Sequence, residues 1–342
     1  MYESYFGLAG KPFQLNPDPS FFFGSKGHNR AFAYLQYGLY QGEGFIVITG
    51  EVGAGKTTIV RSVLQQLDSS KVVAAQIVST QLDADDMLRA VGVAFGLPVR
   101  AVPKAMLLAS IEAFLCQVAS EQRRALLIVD EAQNLTQRAV EELRMLSNFQ
   151  LGQQALLQSF LVGQPELRTI MQSPRMQQLR QRVIASYHLG PLDASETQAY
   201  IEHRLRHVGW NNDPAFAPDS FPLIHTLSGG VPRRINTLCN RLMLAAFLGE
   251  KHEIQAGDVQ AISKEMRDEL GGVDAHAVLT SVEGSSGAAG AADPETQELA
   301  YRKLEERLVR VERTVGATVD LLQSILHPDK SKANTITPTR TP

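Results

Sequence analysis

The stretch best equipped for chemistry is Gly50-Glu51-Val52-Gly53-Ala54-Gly55-Lys56-Thr57-Thr58. Its glycines let backbone N–H groups turn inward around an anion. Lys56 can reach the β and γ oxygens of a bound nucleotide, Thr57 can offer its hydroxyl to Mg²⁺, and a helix starting here favours negative charge at its N-terminus. Chance would produce this glycine–lysine–threonine spacing in on the order of one chain in a hundred of this length. The flanks lower that further. Phe45-Ile46-Val47-Ile48 reads as a buried strand before the loop, and Ile59, Val60, Val63, Leu64 and Leu67 repeat at helical spacing after it. Strand, glycine loop and helix follow one another as a nucleotide-phosphate cradle requires, so ATP with Mg²⁺ is the expected cofactor pair.

A second group of polar residues follows other apolar runs. Ala125-Leu126-Leu127-Ile128-Val129-Asp130-Glu131 sets two carboxylates just past a strand. Asp130 suits the Mg²⁺ shell, and Glu131 suits orienting or deprotonating an attacking water. Asp-Glu alone could equally cap the next helix; beside a phosphate loop, the catalytic reading is preferred. Gln164, after the run Phe160-Leu161-Val162-Gly163, can hydrogen-bond the water or the γ phosphate. Arg180 and Arg182 precede a further strand, and Arg233 opens a helix in Gly229-Gly230-Val231-Pro232-Arg233-Arg234. Singly, arginines are usually solvated surface.

The elements that must position these groups alternate. Strands are expected at 44–49, 71–78, 125–129, 158–162 and 184–189. Helices are expected at 28–41, after the loop, from an Asp83 cap to 95, at 104–120, and from a Thr136 cap. That alternation predicts an α/β fold with a parallel sheet covered on both faces. From Leu192 the strands stop. A helix capped by Ser195 and ending at Gly209, then helices at 218–227, 232–248 and 257–270, make an all-α lid domain. Residues 1–192, with an aromatic N-terminal segment, form the nucleotide-binding core and 193–270 the lid. The aromatics of residues 1–27 either pack at a core edge or wall a base pocket. His28 is expected as a capping or surface residue in preference to a contact with the base. Residues 271–296, poor in bulky apolar side chains, read as a flexible linker. Tyr301, Leu304, Leu308, Val311, Val315, Thr318, Leu322 and Ile325 form an a/d seam, so 297–327 reads as a coiled-coil or docking helix, with a disordered tail at 328–342.

Composition excludes little but points consistently. A 342-residue chain has room for two domains, and a formal net charge of −3 argues against a surface dominated by nucleic-acid binding. Cys116 and Cys239 sit among apolar residues and read as buried small hydrophobes in a reducing compartment. No leader pattern and no apolar run of spanning length occur, which predicts a cytoplasmic protein whose membrane association, if any, runs through partners.

Together these motifs resemble the AAA+ ATPases from about residue 1 to 270. More narrowly, the opening MYESYFGLAGKPFQLNPDPSFFF, the H-x-x-A helix, LLIVDEAQNL, FLVGQPEL and GGVPRRIN resemble the ExeA-like (general secretion pathway protein A) group. Within it, the chain is similar to the secretion ATPases of exopolysaccharide and exosortase (XrtA/PEP-CTERM) loci. The resemblance implies a P-loop NTPase αβα sandwich with a five-stranded sheet, working as a homo-oligomer with nucleotide at subunit boundaries. By it Gln164 is the sensor-one residue, Arg233 the sensor-two arginine, and Arg182, or failing it Arg180, the finger reaching a neighbour's γ phosphate. Several ExeA-like proteins carry a membrane span and a peptidoglycan-binding region after the ATPase. Here the linker and heptad pattern stand instead, which counts against direct action on the cell wall.

The leading expectation is therefore Mg²⁺-dependent ATP hydrolysis by an oligomer that assembles or remodels an envelope secretion or exopolysaccharide apparatus, with residues 297–327 docking to it. Two alternatives stand beside it: a DNA-associated regulator of the transposition type, and a nucleotide switch whose slow hydrolysis resets a partner.

Overall fold

Phe45–Gly50, β1, is buried at all six positions because it lies inside the sheet with helices on both faces. The computed structural model describes residues 1–78 and 81–269. The remaining strands of the main sheet are β2 (Val72–Val78), β3 (Arg124–Asp130), β4 (Leu157–Gly163) and β5 (Val183–Leu189). They run in the order β2-β3-β4-β1-β5, every pair parallel. This is the α/β P-loop NTPase fold with a five-stranded parallel sheet.

Alternation along each strand builds two cores. Phe45 and Val47 join Leu127, Val129 and Leu161 under helices Ala84–Ala94, Lys104–Ser120 and Gln137–Leu146. Ile46 and Ile48 join Leu126, Ile128, Phe160 and Val162 under helices Lys26–Gln41 and Lys56–Gln66. Asp83 and Thr136 cap their helices as expected, each side chain accepting a backbone N–H from the first turn.

Helices Ala194–His207, Ser220–Ser228, Pro232–Leu248 and Ala256–Glu269 enclose a third core around Ile201, Leu205, Ile224, Ile235, Leu242 and Val259. Three details differ from expectation. The cap of the first of these helices is Asp193, not Ser195. Asp193 accepts the Glu196 N–H while the Glu196 side chain accepts the Asp193 N–H, a reciprocal box that Ser195 cannot make. Strands do not stop at Leu192, because Ala215–Phe216 pairs with Glu253–Ile254; two residues are too short to show a periodicity.

The N-terminal segment is the third difference. Tyr2, Phe6, Leu8 and Phe13 are buried in the helical core and not against the sheet. Arg204, itself buried, fastens the segment: its guanidinium donates to the Pro12 and Gln14 carbonyls and to the Tyr200 hydroxyl, over the Phe21 ring. A buried cation is tolerable only with this many acceptors. The linker, heptad helix and tail expected at 271–342 lie outside the described residues.

Candidate functional site

Three neighbouring strands end at one edge, and register decides what meets there. Thr49 pairs with Gly163 and Val129 with Leu161, so the loop after β1, the carboxylates after β3 and Gln164 after β4 emerge side by side. The carboxyl ends of parallel strands are where open α/β sheets bind ligands.

The loop is built for close approach. Gly53 and Gly55 have φ of +84° and +96°, conformations that L side chains rarely adopt. A Cβ on Gly53 would sit 2.3 Å from Arg233 Cβ, and one on Gly55 would sit 2.7 Å from His28 Nε2. Lys56, 6% exposed, donates to the Gly50 and Glu51 carbonyls at 2.7 and 2.9 Å. Burial holds its pKa below the usual lysine range, while the charges of Glu131, Asp130, Glu51 and Glu166 pull the other way.

Thr57 Oγ1 donates to Asp130 Oδ2 at 3.0 Å, and Asp130 is buried. Two hard oxygen donors beside a phosphate loop fit Mg²⁺, which takes few protein ligands and keeps the rest for phosphate and water. Glu131 lines the cleft from a left-handed backbone (φ +53°, ψ +39°), a strained setting typical of functional positions. Its Oε2 accepts from Gln133 Nε2 at 2.6 Å and from Gln164 Nε2 at 3.1 Å, and the Gln164 N–H donates to Gln133 Oε1. Burial pushes the Glu131 carboxyl up. The two amide hydrogen bonds and the Lys56 charge outweigh it and hold the pKa below the usual carboxylate range.

The cleft above the loop has three walls: the loop with Glu131, the N-terminal segment from Gln14 to Phe23, and the lid through Tyr200, Arg204, Pro232, Arg233 and Asn236. Phe21 and Phe23 of the N-terminal segment pack on the helical core and also line the cleft. Arg233 is tied to the loop through its backbone, its N–H donating to the Gly53 carbonyl at 3.1 Å.

The two arginines expected to serve a neighbouring subunit lie at the opposite end of the sheet. The Arg182 carbonyl accepts the Phe45 N–H, so Arg182 sits at the amino end of β1, a strand-length of roughly 20 Å from the loop. Its guanidinium donates to the Ser147 carbonyl and hydroxyl, at the end of helix Gln137–Leu146. Arg180 likewise donates to the Met171 and Ser173 carbonyls, at the end of helix Pro165–Gln172. Within one chain neither faces the cleft.

Sequence reading missed two residues. Gln133, two places after Glu131 in Asp-Glu-Ala-Gln, shows its role only through its hydrogen bond to the Glu131 carboxylate. His28 is neither a cap nor a surface residue: it is 6% exposed and points at the loop. Burial pushes its pKa below the usual histidine range. Cys239 is buried and Cys116 half-buried, both free thiols, and burial raises the Cys239 thiol. Among the described residues no helix is long and apolar enough to cross a membrane.

Strand order and phosphate loop thus define the P-loop NTPase fold. Residues 39–171 match the family described as AAA domain. Over 273 residues the chain is 40% identical to General secretion pathway protein A of Aeromonas hydrophila, across 79% of this chain and 50% of that protein. The chain spans about half of that protein's length. Solved structures agree on the fold. The Aeropyrum pernix ORC1 protein in complex with DNA superposes with a TM-score of 0.55 at 18% identity, covering 92% of this chain and 87% of that one. Cdc6p from Pyrobaculum aerophilum gives 0.55 at 15% identity, covering 77% and 70%.

Proposed function

We propose that this chain hydrolyses ATP with Mg²⁺ and works as an oligomer that assembles or remodels an envelope secretion apparatus, in the narrower form one serving exopolysaccharide export beside an exosortase. The observation that carries the hydrolytic half is the convergence of Lys56, Thr57, Asp130, Glu131 and Gln164 on one edge of the sheet.

In this reading the backbone of residues 50–58 binds the phosphates, and the base lies between the N-terminal segment and the lid. Thr57 and Asp130 hold Mg²⁺, which would neutralise phosphate charge when bound. Glu131 takes a proton from the attacking water, Gln133 and Gln164 orient its carboxylate, and the bond from the γ phosphorus to ADP breaks in line. Lys56 and Arg233 stabilise charge on the departing phosphate oxygens. Arg182, a strand-length from its own loop, supplies a cation to a neighbouring subunit after leaving Ser147.

Turnover per subunit against protein concentration tests the hydrolytic reading. It should rise steeply as subunits assemble, and a Lys56→Ala chain should be inactive; wild-type turnover by Lys56→Ala would remove it. The envelope reading rests on the relationship to General secretion pathway protein A. It predicts that cells carrying only Lys56→Ala stop exporting envelope polysaccharide, and unchanged export would remove that half. A DNA-associated role draws support from the likeness to an ORC1 protein solved with DNA. ATP-stimulated duplex binding that weakens with salt would favour it.

A further inference from the structure

His28 lies 26 residues before the phosphate loop's Ala54 in sequence, yet its ring touches the loop. Nε2 is 3.0 Å from the Ala54 carbonyl oxygen, and Nδ1 is 2.7 Å from Ser25 Oγ. A carbonyl can only accept, so Nε2 carries a proton, and in the neutral ring Nδ1 then accepts from the Ser25 hydroxyl. That hydroxyl in turn accepts the His28 backbone N–H at 3.2 Å, so its single hydrogen is free for Nδ1. With the ring neutral, every donor in this chain of contacts meets an acceptor, and the Phe22 ring closes the side edge-on at 6.2 Å.

The consequence for the loop follows from peptide geometry. The Ala54 carbonyl and the Gly55 N–H belong to one planar trans unit and point in opposite directions. Pinning the carbonyl on His28 therefore fixes the Gly55 N–H on the side away from the imidazole, in a loop whose Gly53, Gly55, Lys56 and Thr57 line the cleft together with His28. Gly55 at φ +96° allows that plane, and the missing side chain leaves room for the imidazole. Left alone, a glycine-flanked peptide would rotate among several orientations, and the cradle would lose a donor in each unproductive one.

We propose that His28 is a positioning residue of the phosphate loop, a neutral imidazole that holds the Ala54–Gly55 peptide with its N–H aimed at bound phosphate. This rests on reading residues 50–58 as a nucleotide-phosphate cradle. Its chemistry is that of a hydrogen-bond donor at Nε2, not of a proton carrier.

The test compares His28→Phe, which keeps a ring but lacks the donor, with His28→Gln, whose amide N–H falls near the position of Nε2. The full-length protein is titrated with Mg²⁺ and a non-hydrolysable ATP analogue, and hydrogen exchange of the loop is measured without nucleotide. His28→Phe should bind the analogue about tenfold more weakly, the loss of one oriented hydrogen bond, and exchange faster at residues 51–57. His28→Gln should stay within about threefold of wild type on both readouts. A purely packing role makes both variants fall together, and that result overturns the proposal, as does wild-type binding and exchange by His28→Phe. Ring nitrogen shifts of the wild-type protein, which need no variant, should show Nε2 protonated and Nδ1 bare; the opposite tautomer also overturns it. If the wild type binds no nucleotide, the hydrolytic reading fails, while loop exchange and the ring tautomer still decide the role of His28.

Discussion

The two ends of the sheet use the same kinds of side chain in opposite ways. At the carboxyl ends of β1, β3 and β4, polar groups satisfy one another beside the cleft, which Thr57 and Glu131 line: Thr57 with Asp130, and Gln133 and Gln164 with Glu131. At the amino ends, Arg180 and Arg182 satisfy the carbonyls that close two helices, a stabilising place for cations. One end is organised toward a ligand and the other toward the chain's own backbone. An arginine's type therefore says little about its work; the strand end it occupies says much more. If the amino end also serves a neighbour's nucleotide, it must give up contacts it already has.

The largest effect expected is at that amino end. Arg182→Ala should bind ATP normally and lose about 10³-fold or more in turnover, with activity returning when it is mixed with Glu131→Gln subunits, which keep their arginine. Arg180→Ala should lose stability of about 1 kcal/mol from its helix-end hydrogen bonds and keep its turnover per folded subunit. Should both variants merely melt earlier at full turnover, the amino end is structural only and the contrast between the two ends becomes absolute.

At the carboxyl end, Glu131→Gln should reduce kcat by about 10²–10⁴-fold with nucleotide affinity intact, read by single-turnover hydrolysis and by titration of the analogue. Gln133→Leu removes an orienting bond and leaves the base in place, so a fall of about tenfold is expected, in kcat and not in affinity.

The smallest effect is a shift in pH dependence. Hydrogen bonds from Gln133 and Gln164 favour the charged Glu131 carboxyl and hold its pKa low. Losing Gln133 therefore raises that pKa, and the acid limb of the rate profile should move to higher pH. The stability sign is the same. A carboxyl with a depressed folded pKa stabilises the fold above its unfolded pKa, and that contribution is lost as pH falls through the folded value. Gln133→Leu should accordingly unfold at slightly higher pH on the acid side, read by circular dichroism.

How much of this was legible depends on the range of the interaction. The glycine loop, its flanking strand and helix, and the Asp130-Glu131 pair follow from neighbours in sequence. The three central strands, buried almost throughout, show as continuous apolar runs, and the two half-exposed edge strands as shorter β-prone runs, so all five strands of the main sheet were readable. Asp193 displaced Ser195 as a cap because both residues can cap and only the Glu196 partnership separates them. The aromatic N-terminal segment was readable as buried, yet aromaticity carries no address. Its lodging in the helical core depends on Arg204, nearly two hundred residues away, holding the Pro12 and Gln14 carbonyls.

By itself the sequence determined that this chain makes a phosphate cradle at the end of a buried strand, because those requirements are local: backbone freedom at glycine, apolar alternation and a lysine at fixed spacing. Only the tertiary structure decided what surrounds the cradle. Strand register joins Gln133 and Gln164 on Glu131, helix packing sets His28 beneath Ala54, and the amino ends of the strands hold Arg180 and Arg182 away from the cleft. These are relations across space between residues that are far apart along the chain, and composition and spacing carry no measure of such distances.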